Sequence, residues 1–392
     1  GTLNIAVGSQ ALQNSTVGNC NIAVGQSAMQ YNSSGARNVA IGHQSLVYNA
    51  AGTNNVGIGY RTLFTNTASN NTAVGHLALR CNTTGIYNTG VGKGSLQANT
   101  VGIYNTGLGG NSLLCNVGGS RNTALGHNAL ALTGNTISNN TAIGHEALLY
   151  NNANNNTAVG LCALRTNSTG ANNVAVGNYS LRLNTVGANN TALGGSALRA
   201  NLASGNTAVG FYALRDNTTG TSNVAIGTSA LVANTIGTTN TAVGTNSLQS
   251  NTTGGTHTAV GYGSLRNNTV GFQNTAIGVI ALYSNTSGFS NTAVGWATLC
   301  SNTTGIKSTA VGGRALTCNL ASGNSALGYV ALLNNTTGGN NNAFGYGALA
   351  NNTTGGNNIA FGNSAVRSNT TGTANIGIGA RNGYETIGSS LT

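Results

Sequence analysis

Three carboxylates, Glu146, Asp216 and Glu385, are all that the chain offers for acid–base chemistry. A general acid and a general base must face one substrate together, and no two of these residues are spaced to do so. Six cysteines, Cys20, Cys81, Cys115, Cys162, Cys300 and Cys318, show no C-x-x-C pair and no metal-ligand spacing. Strings such as Gly107-Leu108-Gly109 belong to a repeat and open no strand–loop–helix phosphate site. The sequence therefore predicts no enzyme, with no catalytic residue, no cofactor and no metal.

Other groups point to binding. Asn-x-Ser/Thr sequons recur at Asn82, Asn167, Asn217, Asn251, Asn302, Asn335, Asn352 and Asn369. In a eukaryotic secretory setting these would be glycosylation acceptors; elsewhere they are turn chemistry. The net charge of +11 is spread over 392 residues, too thinly for the basic footprint of a nucleic-acid groove. No apolar run approaches the roughly 20 residues of a membrane helix.

What positions these residues is a repeat. With Asn71-Thr72-Ala73-Val74-Gly75 as positions 1 to 5, equivalent pentads recur 23 times, mostly at intervals of 17 residues. Four intervals are of 16 and one is of 18. The consensus is N-T-A-V-G-x-x-A-L-x-x-N-T-T-G-x-x. Sixty glycines, no proline and a hydrophobic fraction of 39% with only 4% charged residues fit neither an ordinary domain nor disorder. Position 5 is Gly in every copy, which predicts a corner with positive φ or close backbone approach. Position 4 is always Val, Ile, Leu or Phe, and position 2 mostly Thr, Val or Ile. Two apart on a strand, they share a face; that face is expected to be the core, with Leu of position 9 as its second wall. N-T-T-G at positions 12 to 15 is a return turn in which Asn tolerates the left-handed region and Gly supplies positive φ. A 3.6-residue helical period does not tolerate this spacing. The expectation is an all-β parallel β-solenoid of about 23 coils over residues 1–392, with a divergent last coil at 375–392. Asn ladders would pair their amides from coil to coil.

The repeat also sorts the polar residues. Arg165, Arg182, Arg199 and Arg215 occupy position 10 of four consecutive coils. Stacked like charges suit a solvated edge or, more sharply, a polyanionic glycan. His43, His76, His127 and His145 share position 6, and His127 and His145 lie on adjacent coils. Tyr60, Lys93, Trp296 and Tyr346 fill the same position, so it reads as an exposed wall; three chains meeting there could share a metal. Cys300 and Cys318, on adjacent coils, are a candidate disulfide. Position 3 is only Ala or Gly, as at Ala6, Ala23, Ala40, Gly57, Ala73, Gly90, Gly107 and Ala124. Either it packs inside a flattened coil or it abuts another chain, and the second reading is the expectation. Gly1 opens the chain in mid-unit, which predicts a piece of something longer or ends covered by neighbouring subunits.

Asn38-Val39-Ala40-Ile41-Gly42 and Asn223-Val224-Ala225-Ile226-Gly227 resemble the N/S-V-A-I-G core of head repeats in trimeric autotransporter adhesins of the YadA type. The fuller unit, from Asn291-Thr292-Ala293-Val294-Gly295 through Asn302-Thr303-Thr304-Gly305, resembles repeats of phage and viral tail-fibre-like proteins. The resemblance implies a left-handed parallel β-roll, a side-by-side homotrimer and a place on a cell or virion surface. The adhesin unit is shorter, and the adhesin's neck, stalk and anchor have no counterpart in this sequence. The functional expectation is a structural extracellular fibre whose main partner is itself. The alternatives are an ice- or glycan-binding solenoid and a filament joined end to end.

Overall fold

The computed structural model describes residues 1–134 and 136–381. They form an all-β parallel β-solenoid with about 17 residues per turn. The chain divides into two compact units, Gly1–Gly195 and Ser196–Thr392. The first carries β1 (Ile5–Val7) through β12 (Thr191–Leu193), and the second β13 (Thr207–Val209) through β23 (Ile376–Ile378), one strand per coil. Within each unit the strands of successive coils pair in parallel and in register. Thr72 faces Thr89, Ala73 faces Gly90 and Val74 faces Val91; Thr241 likewise faces Thr258. Of the divergent last coil, the part from Asn382 through Gly383 and Glu385 to the end lies outside the described residues.

Each strand is three residues long because position 5 ends it. Gly25 has φ 129°, and a Cβ there would sit 2.7 Å from the carbonyl of Gly42 on the next coil. Both reasons for an invariant glycine, positive φ and close approach, hold at once. The chain then rounds the corner in successive turns. In the coil from Asn71, Ala78 N–H donates to Gly75 O, Arg80 N–H to Leu77 O and Asn82 N–H to Leu79 O. Leu77 (φ 60°) and Leu79 (φ 49°) take the left-handed third place of the first two turns, usually a site for Gly or Asn. A non-glycine residue there costs roughly 1–2 kcal/mol. Full burial of a Leu offsets this by about 1.5–3 kcal/mol, and Leu79 is fully buried.

The strand face is the reverse of the expected one. Position 3 points inward: Ala23, Ala40, Ala73 and Ala124 have no exposed surface, and Gly57, Gly90 and Gly107 are buried too. Only Ala6, on the first coil, is exposed. The small face is therefore not an interchain face. It is small because positions 8 and 9 lie against it. A Cβ on Gly57 would come 2.6 Å from Ser45 Oγ and 3.3 Å from Leu46 Cδ1, and one on Gly90 3.2 Å from Ser95 O and 3.4 Å from Leu79 Cγ. Across so thin a coil Leu leaves room for Ala and no more. Val and Thr of positions 4 and 2 are turned outward, as in the half-buried–buried–exposed pattern of Val39–Ile41.

Two columns of asparagine complete the interior. At position 12, Asn49 Nδ2 donates to Asn32 Oδ1 (3.0 Å) and to Gly52 O (2.9 Å). At position 1, Asn38 N–H donates to Asn21 Oδ1 (3.0 Å), while Asn38 Nδ2 donates to Gly52 O (2.8 Å). The amide ladders expected from the sequence are present, but the return turn works differently. Neither Asn49 nor Gly52 has positive φ; Gly at position 15 is needed because Asn amides and the next coil's carbonyl crowd its Cα. The 16-residue coils keep the arrangement by substituting a nearer carbonyl. Asn66, Asn151, Asn201 and Asn319 each donate to an alanine carbonyl two residues on, at Ala68, Ala153, Ala203 and Ala321.

Candidate functional site

The outward strand face is the broadest feature on which function can rest. Position 4 is apolar in every copy and half-buried to exposed throughout. Ile41, Ile58, Leu108 and Leu125 are exposed in the first unit, and Ile226, Ile277, Leu327 and Phe361 in the second. Position 2 beside it carries Thr72, Thr89, Thr106 and Thr123 in the first unit and Thr241, Thr258, Thr275 and Thr292 in the second. Neither position ever holds a charged residue. The signal was present in the sequence: water alone does not hold a column to Val, Ile, Leu and Phe. The threonines of the return turn are engaged instead. Thr83 Oγ1 donates to Thr100 O (3.0 Å), and Thr218 Oγ1 to Thr235 O (2.9 Å).

The arginine column is less charged than its sequence suggests. Arg165 Nε meets Glu146 Oε2 at 2.6 Å and its guanidinium lies over the Tyr150 ring. That hydrogen bond holds the Glu146 carboxyl below its usual range. Arg215 holds Asp216 through both carboxylate oxygens, at 2.8 and 2.7 Å, and covers Tyr212. Arg182 lies over Tyr179, and Arg199 is exposed. Two of the four thus have a carboxylate of their own chain, which leaves a weak platform for a polyanion.

The sequon asparagines are excluded as glycan acceptors in the folded chain. Asn82, Asn167, Asn217, Asn251, Asn302, Asn335, Asn352 and Asn369 are all fully buried. Asn82 Nδ2, for one, spends both protons on Asn66 Oδ1 and Gly85 O, so no N–H is left for a sugar. Cys300 and Cys318 are both free thiols, as are the other four cysteines. Burial, and then the neighbouring Cys318, raise the Cys300 pKa.

Position 6 is an exposed wall, as expected, with rings in ranks. Tyr60 stacks on His76 (5.2 Å), and His127 on His145 (5.5 Å). The fifth histidine is structural. His257 replaces Asn at position 1, where Nδ1 accepts from Asn274 N–H (3.2 Å) and Nε2 bonds Gly271 O (2.6 Å). The imidazole reproduces the Asn pattern, and burial lowers its pKa to about 4.

Sequence reasoning also missed a grouping that the coil register creates. Glu146 and Cys162 both stand at position 7, on adjacent coils, and the thiol points at Glu146 Oε2. Comparing positions down a column, instead of spacings along the chain, would have found it. Among the described residues no helix is long and apolar enough to cross a membrane. No family model matches the chain, and no curated protein matches it significantly.

Proposed function

We propose that the chain is a non-catalytic structural segment of an extracellular surface fibre, adhesin- or tail-fibre-like, in which copies lie side by side with their outward strand faces buried together. The observation that carries this reading is the column at position 4, apolar in all copies yet turned to solvent within each unit. Flat, in-register rows of Val and Ile with Thr beside them are fit to pack against a second such face. Three copies around one axis is the arrangement implied by the resemblance to adhesin heads, and a cell or virion surface is the matching location. The recurrent pentad supports both.

The test is the mass of the particle in solution. Sedimentation equilibrium should give an oligomer, and Ile41→Lys with Ile58→Lys and Val74→Lys should return it to monomer with an unchanged circular dichroism spectrum. A wild-type chain that stays monomeric at high concentration would sink the reading. A second reading is favoured by the outward threonines. Ranks such as Thr89, Thr106 and Thr123, repeating every ~4.8 Å on a parallel sheet, present a flat face suited to ice. Thermal hysteresis would support that alternative, and its absence at millimolar protein would remove it.

A further inference from the structure

The first unit gathers its chemistry in one place. His145 and Glu146 are neighbours in the chain, and Cys162 lies on the next coil at the position of Glu146. Their ligand atoms, an imidazole nitrogen, a carboxylate oxygen and Sγ, all lie within 4.8 Å of one another. We propose that His145, Glu146 and Cys162 form a binding site for a thiophilic divalent cation of the zinc class.

The donor set is one that zinc takes, with three protein ligands and a fourth position left to water. In a tetrahedral site with bonds of about 2.0–2.3 Å the donors stand roughly 3.3–3.8 Å apart. Closing from the present separations needs side-chain rotation of about an ångström and no movement of the coil. The backbone already fixes the three. Cys162 N–H donates to His145 O (3.0 Å), and Glu146 N–H to His127 O (3.1 Å). Arg165 and the Cys162 thiol both bond Glu146 Oε2, so Oε1 remains for a cation. Arg165 holds the carboxylate in place through that hydrogen bond, much as a second-layer partner does in metal sites. His127, stacked on His145, supports the imidazole from the coil below. His145 is exposed while Cys162 is buried, so a hydrated ion can enter from the imidazole side and meet the thiol last. On binding, the S–H bond breaks, its proton leaves to solvent, and the sulfur electron pair forms the metal–sulfur bond.

Cobalt(II) titration of the untagged protein tests this, because a thiolate ligand gives cobalt a charge-transfer band in the near ultraviolet. One equivalent should develop the band, and zinc should bleach it. Cys162→Ser should abolish it, and His145→Ala should weaken cobalt binding at least tenfold. Cys115→Ser, on another coil, should leave both unchanged. Ser27, Ser196 and Ser229 occupy the position of Cys162 in other coils, so the Cys162→Ser chain is expected to fold, and its circular dichroism checks that. Absence of the band in wild type, or its persistence in Cys162→Ser, would overturn the proposal. So would equal loss in Cys115→Ser.

Discussion

The coils between Asn201 and Asn302 and the coil from Asn122 to Asn139 follow one plan and differ in one column. From Asn217 to Asn302 every position-12 amide donates to the Asn below it, at 2.7 to 3.0 Å. The coil from Asn122 is the one of 18 residues, and Thr133 stands where the Asn would be. Asn116 Oδ1 and Thr133 Oγ1 are both buried there with no partner. Ile137 O takes over the acceptor role, receiving Asn122 Nδ2 at 2.8 Å. The outer face beside this break carries the paired histidines, Glu146 and Cys162. The regular coils are held chiefly by repetition, with His257 and the Arg215–Asp216 pair as their own departures, while the coils beside the break bring His145, Glu146 and Cys162 together.

The comparison can be broken hardest at the corner glycine. Gly227→Ala, in the regular coils, would place a Cβ 2.7 Å from the Gly244 carbonyl carbon at φ 128°. It is expected to cost about 4 kcal/mol, read as a loss of denaturant midpoint. Next comes pH. The His257 pKa is about 4 when folded against 6.5 unfolded, so the unfolded chain binds the proton first. Stability is full above pH 6.5 and falls by about 3 kcal/mol as pH drops from 6.5 towards 4. His257→Asn should flatten melting temperature over that window, and an unchanged slope would contradict the buried neutral imidazole. Asn234→Ala removes the donor to Asn217 Oδ1 and Gly237 O and should cost about 2 kcal/mol. The smallest effect has the opposite sign. Thr133→Asn gives Asn116 Oδ1 a donor and should stabilise by about 1 kcal/mol, seen as slower amide exchange in that coil.

Much of this molecule was legible from its spacing. The period and the position-5 corner follow from a glycine that never varies, and the amide ladder from asparagines replaced in only a few coils, as at Thr133 and His257, because stacking multiplies any misfit by the number of coils. The direction of the strand was not legible. Val74 and Ala73 alternate whichever faces in, and β-branched residues normally mark a core. The deciding fact is the thinness of the coil, set by Ser45 and Leu46 against Gly57 and by Ser95 and Leu79 against Gly90, and distance across a coil is not written in spacing along it. The left-handed Leu79 was hidden for a related reason: turn rules assign that conformation to Gly or Asn, and burial overrides them. Asn82 shows the same limit. Its sequon reads as exposed turn chemistry, and only the ladder reveals both of its protons to be in use.

The position-12 ladder also has a sense of travel. Asn49 gives its proton back to Asn32, and Asn251 to Asn234; nitrogen always faces one way along the stack and oxygen the other. Two such stacks brought nose to tail would continue the sequence of donor and acceptor across the joint. Nose to nose or tail to tail, like atoms would oppose each other. Any polymer grown by coil-on-coil docking inherits that one-way order, and so is an arrow with two chemically distinct ends.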